Sequence, residues 1–264
     1  TLWLAQSSPA PIFPIADITL APDDPDFIAI VCMDGAGTHR REVYVSQDGG
    51  VNWSYSGRIP WLFGANEQIG DIAISTSYSY QGSTVHDIVI GSRNPADGIS
   101  AGELYILRFP VISSWNAQGF TNGDAIAIKL SPRYPSDQCV LVMSSTLQRT
   151  YINIGYRDFA ANTCSWNRVA NWPVELCTPD QAGGINSGEN RLITGMLELP
   201  QDFDGGRPGN RVVFATYDSN GLASGLTRPL DDVYRLNDCI VTRLQVPGFG
   251  NNPRISSIAY TGNT

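Results

Sequence analysis

Three aspartates recur near the start of similar apolar segments, and their carboxyl groups are the side chains best suited to chemistry. Asp17, Asp71 and Asp124 each stand within or beside a run of alternating apolar residues. If these runs line a common channel, two of the carboxyls could serve as the acid and the nucleophile or base of a glycoside hydrolase. The alternative is that they are polar residues on a solvated strand face or caps of a preceding turn. We favour this alternative, because nothing in the sequence indicates a raised pKa for any of them.

Other catalytic and cofactor chemistry has little basis in the sequence. His39 and His86 are the only histidines, and both are predicted to lie at the surface, so neither a Ser-His-Asp triad nor a zinc site is indicated. No phosphate-binding loop or dinucleotide motif is present. Two acidic turns, 23–26 and 202–206, offer oxygen atoms to calcium but lack the ligand spacing of an EF-hand, and we interpret them as solvated turns. We predict no catalytic residue, no metal and no cofactor.

The five cysteines contain no Cys-x-x-Cys pair. Cys164 and Cys177 flank a segment that is typical of a loop, and we predict a disulfide between them, which would imply an oxidising compartment. Cys32, Cys139 and Cys239 lie in apolar runs and are predicted to be buried free thiols.

The elements that must position these residues are β-strands. The apolar segments are short, rich in β-branched and aromatic residues, and bounded by Gly, Pro, Asn or Asp, whereas no long window shows a helical period. Five segments share the pattern of a first strand and recur at intervals of roughly 55 to 65 residues, slightly above the usual length of a blade repeat. These segments are 15–21, 69–75, 124–131, 192–199 and 254–260.

This recurrence predicts an all-β fold, a β-propeller built from four-stranded antiparallel blades. The approximate blades are 15–68, 69–123, 124–190 and 191–253, with the start of a further blade at 254–264. The further start suggests a fragment of a larger ring. A β-sandwich with hairpins of irregular length is the alternative.

One short motif supports the propeller. The segment 46–53 resembles the Asp box of BNR-repeat propellers, such as sialidases and sortilin-type receptors, through Ser46, Asp48, Gly50 and Trp53. In these families the box is a folding element in a hairpin at the rim of a blade, away from the active face. The resemblance therefore implies a fold, with no specific family member and no activity.

The charge and the loop composition suggest the class of partner. The net charge of −8 argues against nucleic acid and anionic membranes, and no apolar stretch is long enough to span a bilayer. Aromatic residues in loop-like segments could bind sugars or proteins, although we favour packing between blades; they are Trp61, Phe63, Tyr78, Tyr80, Trp115 and Trp172. We predict a non-catalytic extracellular or cell-surface module that binds a protein or glycan or joins an oligomer or surface assembly. The alternative is a propeller-fold glycoside hydrolase that uses paired carboxylates.

Overall fold

Almost all regular structure in the chain is β. The computed structural model describes residues 14–58, 67–94, 102–146, 149–177, 194–218, 232–244, 255 and 257–262. Within these ranges the strands form four antiparallel sheets, and each sheet takes its strands from one continuous part of the chain. This local pairing follows from the sequence, in which short apolar runs alternate with turn residues.

The first two sheets use residues 15–117 and follow the order of the chain from one edge to the other. The first sheet contains β1 (Ile15–Ala21), β2 (Asp24–Met33), β3 (Arg40–Ser46) and β4 (Ser54–Arg58). The second contains β5 (Gln68–Ile74), β6 (Tyr78–Tyr80), β7 (Ser83–Arg93), β8 (Leu104–Phe109) and β9 (Asn116–Ala117). The short β6 pairs with β7 outside the main strand order.

The third and fourth sheets repeat this arrangement. The third contains β10 (Asp124–Leu130), β11 (Cys139–Ser145), β12 (Thr150–Asp158), β13 (Thr163–Trp166) and β14 (Val174–Cys177). The fourth contains β15 (Thr194–Glu198), β16 (Val212–Asp218), β17 (Val233–Asn237) and β18 (Ile240–Arg243). Between strands lie one turn of α-helix, α1 (Tyr134–Asp137), and a short 3-10 helix at Pro208–Asn210.

The sheets are arranged around their first strands. β1 packs beside β5, β5 beside β10, and β10 beside β15, while the later strands of each sheet pair outward in turn. Four antiparallel sheets that radiate from adjacent first strands are the blades of a propeller. The fold is a β-propeller.

Hydrophobic cores lie between successive blades and explain the continuous apolar runs of the second strands. In β11, Leu141 and Met143 face the core shared with the fourth blade, while Val140 and Val142 face the core shared with the second. Because successive side chains of a strand point to opposite faces, a strand that is buried on both faces must be apolar at every position.

The hairpin that joins β3 to β4 is formed by the Asp-box segment. Ser46 is buried, and its hydroxyl accepts the N–H of Gly50 at 2.8 Å while donating to Asp48 at 2.8 Å. Asp48 in turn accepts the N–H of Asn52 at 2.8 Å. Gly50 has a φ of 87°, a conformation that a side chain would strain. Trp53 packs on an apolar cluster of its own blade, so the segment stabilises a turn and lies outside the cavity described below.

The predicted disulfide is wrong. Cys164 is a free cysteine. It pairs opposite Arg157 on β12, whereas Cys177 pairs opposite Thr150 on the same strand. These positions are roughly 23 Å apart at about 3.3 Å per residue, and a disulfide needs Cα atoms within about 7 Å. Cys32 and Cys139 are buried free thiols, as predicted, and Cys239 is a free thiol that is only partly buried.

Candidate functional site

A cavity of about 300 Å³ lies where the first strands of the four blades meet. Apart from Pro22, its lining consists of one short stretch from each first strand: 17–20, 71–74, 127–130 and 195–197. Ile18 and Leu20 are 57% and 49% exposed on this lining, so apolar as well as polar contacts are available to a ligand. Ligand sites in proteins are commonly concave and combine apolar walls with a few polar groups.

Asp17 and Asp71 both line this cavity, and they occupy the same position in adjacent blades. The pairing of β1 with β2 is interrupted just before Asp17, and the pairing of β5 with β7 is interrupted just before Asp71. Each irregularity places its aspartate as the first lining residue of its strand. Such bulges commonly redirect a side chain.

Asp124, the third of the aspartates predicted to line a channel, is not among the residues that line this cavity. It is the first residue of β10, is buried, and accepts the N–H of Asn94 at 3.1 Å. In β10 the pairing irregularity lies between Ala125 and Ala127. The residue that corresponds to Asp17 and Asp71 is therefore Ala127, and the third blade contributes no carboxyl at this level.

The environments of the two aspartates disfavour their charged forms. Asp71 is half-buried, and one of its oxygens accepts the N–H of Ile128 on the neighbouring blade at 2.5 Å. Burial, together with the nearby carboxyl of Asp17, raises the pKa of Asp71 to about 7. Burial also raises the pKa of Asp17, although this carboxyl accepts the N–H of Ile18 at 2.8 Å.

The cavity also contains Lys129, a residue that the sequence did not single out. Its ammonium lies 2.9 Å from a carboxylate oxygen of Glu198, so its charge is largely neutralised by that partner. Lys129 nevertheless lowers the pKa of Asp71 by a smaller amount than burial raises it. The sequence could have indicated Lys129 as a candidate site residue, since it is the only lysine of the chain and lies within a predicted first strand.

A second group of charged residues lies between the second and third blades and has no exposed surface. Asp87 is fully buried, and its two oxygens lie 3.2 Å from Nε of Arg108 and 3.2 Å from Nε of Arg157. The same carboxylate accepts hydrogen bonds of 2.8 Å from the hydroxyls of Tyr78 and Tyr134. Because all three charged side chains are 0 to 2% exposed, this network links two blades and is not a ligand site.

The aromatic residues serve packing, as we favoured. Tyr78 stacks on Phe159 with ring centroids 4.3 Å apart, and Tyr80 lies under the guanidinium of Arg108 at 4.1 Å. Trp115 packs against the core between the first two blades, and Trp172 is buried between the third and fourth. Trp61 and Phe63 lie outside the described residues.

The histidines and the acidic turns form no catalytic or metal-binding arrangement in the structure described. His86 is buried and stacks on Phe27 at 4.3 Å, so its predicted surface position is wrong, whereas His39 is partly exposed beside Asp34. Among the residues in these ranges, no three His, Cys, Asp or Glu side chains gather where they could hold a metal ion. Over the same residues, no helix has the length and apolar character required to cross a membrane.

The chain has distant structural likenesses to solved proteins. Neither a protein-family model nor a curated protein sequence matches the chain. A Dos1 propeller is 12% identical with a TM-score of 0.44, and a luciferin-regenerating enzyme is 11% identical with a TM-score of 0.41. The exo-β-1,3-galactanase of Phanerochaete chrysosporium, solved with galactose, is 11% identical with a TM-score of 0.45.

These likenesses extend over most of the present chain but over less of the other proteins. The matches cover 86%, 89% and 84% of this chain, in the same order, and 56%, 80% and 48% of the other three. The chain thus spans about half the length of the Dos1 propeller and of the galactanase. At such low identity these proteins give no information about the chemistry of the cavity.

Proposed function

We propose that this β-propeller is a non-catalytic binding module that acts outside the cell or at its surface, and that its central cavity holds one sugar unit of a glycan. The observation that carries the proposal is the cavity, which combines two carboxyls with exposed aliphatic side chains at the meeting point of four blades. Carboxyl oxygens accept hydrogen bonds from sugar hydroxyls, and Ile18 and Leu20 offer contact area to the C–H face of a ring.

The size of the cavity favours a small ligand over a folded protein. A volume of about 300 Å³ is at the lower end of the range for small-molecule sites. Four aromatic residues that could have contributed to a flat protein-binding face pack within the propeller instead: Tyr78, Tyr80, Trp115 and Trp172. A terminal glycan unit therefore suits the site better than a protein surface does.

An extracellular location is supported by composition alone. The chain carries a net charge of −8 and one lysine, and its loops are rich in Asn, Ser and Thr. We expect antibodies against the protein to label intact cells of the source organism or to detect it in the medium. Recovery only in the cytosolic fraction, together with a cytosolic marker, would contradict this part of the proposal.

Glycan binding is tested with a fluorescently labelled protein on a glycan array and by calorimetry with the glycans that are retained. We expect the Asp17→Asn, Asp71→Asn double variant to lose at least about tenfold in affinity, since two half-buried hydrogen-bonding groups are changed. Asp26→Asn is the matched control, because Asp26 is an exposed aspartate on the same blade as Asp17 and lies outside the cavity. Equal binding by the double variant would show that the cavity is not the site.

One observation favours a second candidate, a glycoside hydrolase. Asp71, with a pKa raised to about 7, would retain a proton near neutral pH and could protonate a leaving group, while Asp17 would act as the nucleophile or base. In that case wild type and Asp26→Asn should release reducing sugar from a polysaccharide panel, and Asp71→Asn should not. Binding of a glycan without turnover over days would exclude this candidate.

A further inference from the structure

We propose that the ligand of the central cavity carries an ammonium group, which binds between Asp17 and Asp71. This inference rests on the proposed binding function and specifies the class of ligand: a polyhydroxylated compound with a protonated amine. The cavity would therefore bind amino sugars and amino polyols more tightly than neutral sugars of the same size.

The charges that face the cavity support this choice. The first blade contributes Asp17, the second contributes Asp71, and the third contributes Lys129, whose ammonium is paired with Glu198 of the fourth blade at 2.9 Å. Arg40 acts on Asp17 only through its longer-range field. Among the residues described, no cation forms an ion pair with Asp17 or Asp71. Lys129 lowers the pKa of Asp71 through its field, but its ammonium is paired with Glu198.

A ligand ammonium would replace the proton that the acid pair now retains. Burial disfavours the charged form of Asp71, and the neighbouring carboxyl of Asp17 adds to this effect, so the pKa of Asp71 is raised to about 7. A cation placed between them removes that cost, and the displaced proton passes to the solvent. Binding should therefore become tighter as the pH rises and the competing proton is lost.

An organic cation fits the cavity better than a metal ion does. The described residues provide no group of three metal-ligating side chains, while the walls include Ile18, Leu20 and Met196, which can contact carbon atoms of a ligand. A single ammonium donates three hydrogen bonds and needs only a few acceptors.

The test compares three six-carbon polyols that differ at one end. D-glucamine carries an ammonium, D-sorbitol a hydroxyl, and D-gluconate a carboxylate. Calorimetric titrations at pH 6, 7 and 8 give their affinities for wild type, for the Asp17→Asn, Asp71→Asn double variant and for Asp26→Asn. The amine of glucamine, like that of lysine, remains protonated over this range.

We expect glucamine to bind wild type and Asp26→Asn at least about tenfold more tightly than sorbitol at pH 8, with gluconate the weakest. The affinity for glucamine should fall by about tenfold from pH 8 to pH 6, because a site with a pKa of about 7 is about nine-tenths deprotonated at pH 8 and about one-tenth at pH 6. The double variant should lose both the preference and its pH dependence.

Four results would overturn the inference, and one of them would also affect the proposed function. Equal affinity for glucamine and sorbitol, or an undiminished preference in the double variant, refutes the ammonium site but leaves neutral glycan binding intact. Failure of all three polyols to bind, while the glycan array retains neutral glycans, has the same meaning. Failure of the polyols and of every glycan on the array refutes the proposed function as well.

Discussion

Asp71 offers the sharpest test of the structure, because its carboxyl is held where its charge is disfavoured. Replacement by Asn removes the ionisation but retains an oxygen that can accept the N–H of Ile128. The variant should therefore fold normally and differ from wild type mainly in how its stability depends on pH.

The magnitude follows from linkage between protonation and folding. The pKa of Asp71 rises from its ordinary 3.8 to about 7 in the folded state, so the folded chain binds this proton more tightly than the unfolded chain does. The associated stability is complete below pH 3.8 and is lost as the pH rises through 7. One pKa unit corresponds to about 1.4 kcal/mol, and screening at a half-buried group reduces the total, so we expect a loss of about 2 to 4 kcal/mol.

Urea denaturation of wild type, Asp71→Asn and Asp26→Asn, followed by tryptophan fluorescence from pH 4 to pH 8, measures this loss directly. Relative to wild type, Asp71→Asn should gain about 2 to 4 kcal/mol in the free energy of unfolding across that range, and Asp26→Asn is the control for an Asp-to-Asn change at an exposed position. If the free energy of unfolding of Asp71→Asn differs from that of wild type by the same amount at every pH, the Asp71 carboxyl is not held in an environment that disfavours its charge.

Three further substitutions test other parts of the fold, all by urea denaturation at pH 7. Asp87→Asn should lose about 3 to 5 kcal/mol, since it leaves two buried arginines without their shared counter-charge; a loss below 1 kcal/mol would mean that the network is dispensable. Gly155→Ala should lose about 1 to 3 kcal/mol because its new methyl group would clash with the indole of Trp166, whereas Gly209→Ala meets no atom within 4 Å and should stay within about 0.5 kcal/mol of wild type. Ser46→Ala should lose about 1 to 2 kcal/mol with the hydrogen bonds of its hairpin turn, and an unchanged midpoint would show that the hydroxyl is not needed.

The sequence predicted the strands and their antiparallel sheets well, because that information is local. Apolar runs of strand length, separated by turn residues, pair with their neighbours in the chain. The first-strand pattern also located the parts of the chain that meet at the centre. It could do so because the innermost strand of each blade faces the same environment and is constrained in the same way.

Asp17, Asp71 and Asp124 were given equal weight from the sequence, but only the first two line the cavity, and this difference has a local cause. Asp17 and Asp71 each stand two positions after an isoleucine of the first strand, whereas Asp124 stands two positions before Ile126. Aligning the strands at the bulge instead of at the acid would have placed Ala127 at the equivalent position. The three aspartates were grouped because they are acidic, and their positions along the strand were given less weight. Because successive side chains of a strand point to opposite faces, the position along the strand decides which residue faces the cavity.

Contacts between blades could not be predicted from local patterns in the sequence. Asp87 meets Arg157 across 70 positions of the chain, and no local pattern relates them. Charged residues inside apolar strands, such as Arg108 in β8, were a visible anomaly that could have indicated a buried ion pair. The disulfide prediction failed for the same reason, since it relied on separation along the chain without knowledge of strand register.

The solitary lysine of the chain gives experimental access to the centre of the propeller. Lys129 lies in the cavity with its side chain 41% exposed, so acylating reagents can modify only this side-chain amine, apart from the α-amino group. A molecule that enters the cavity would shield the amine and slow its modification, which peptide mass spectrometry can follow at a single position. The rate of acylation of Lys129 thus reports whether the cavity is occupied. It can be used to rank unlabelled compounds by binding before any natural ligand is identified.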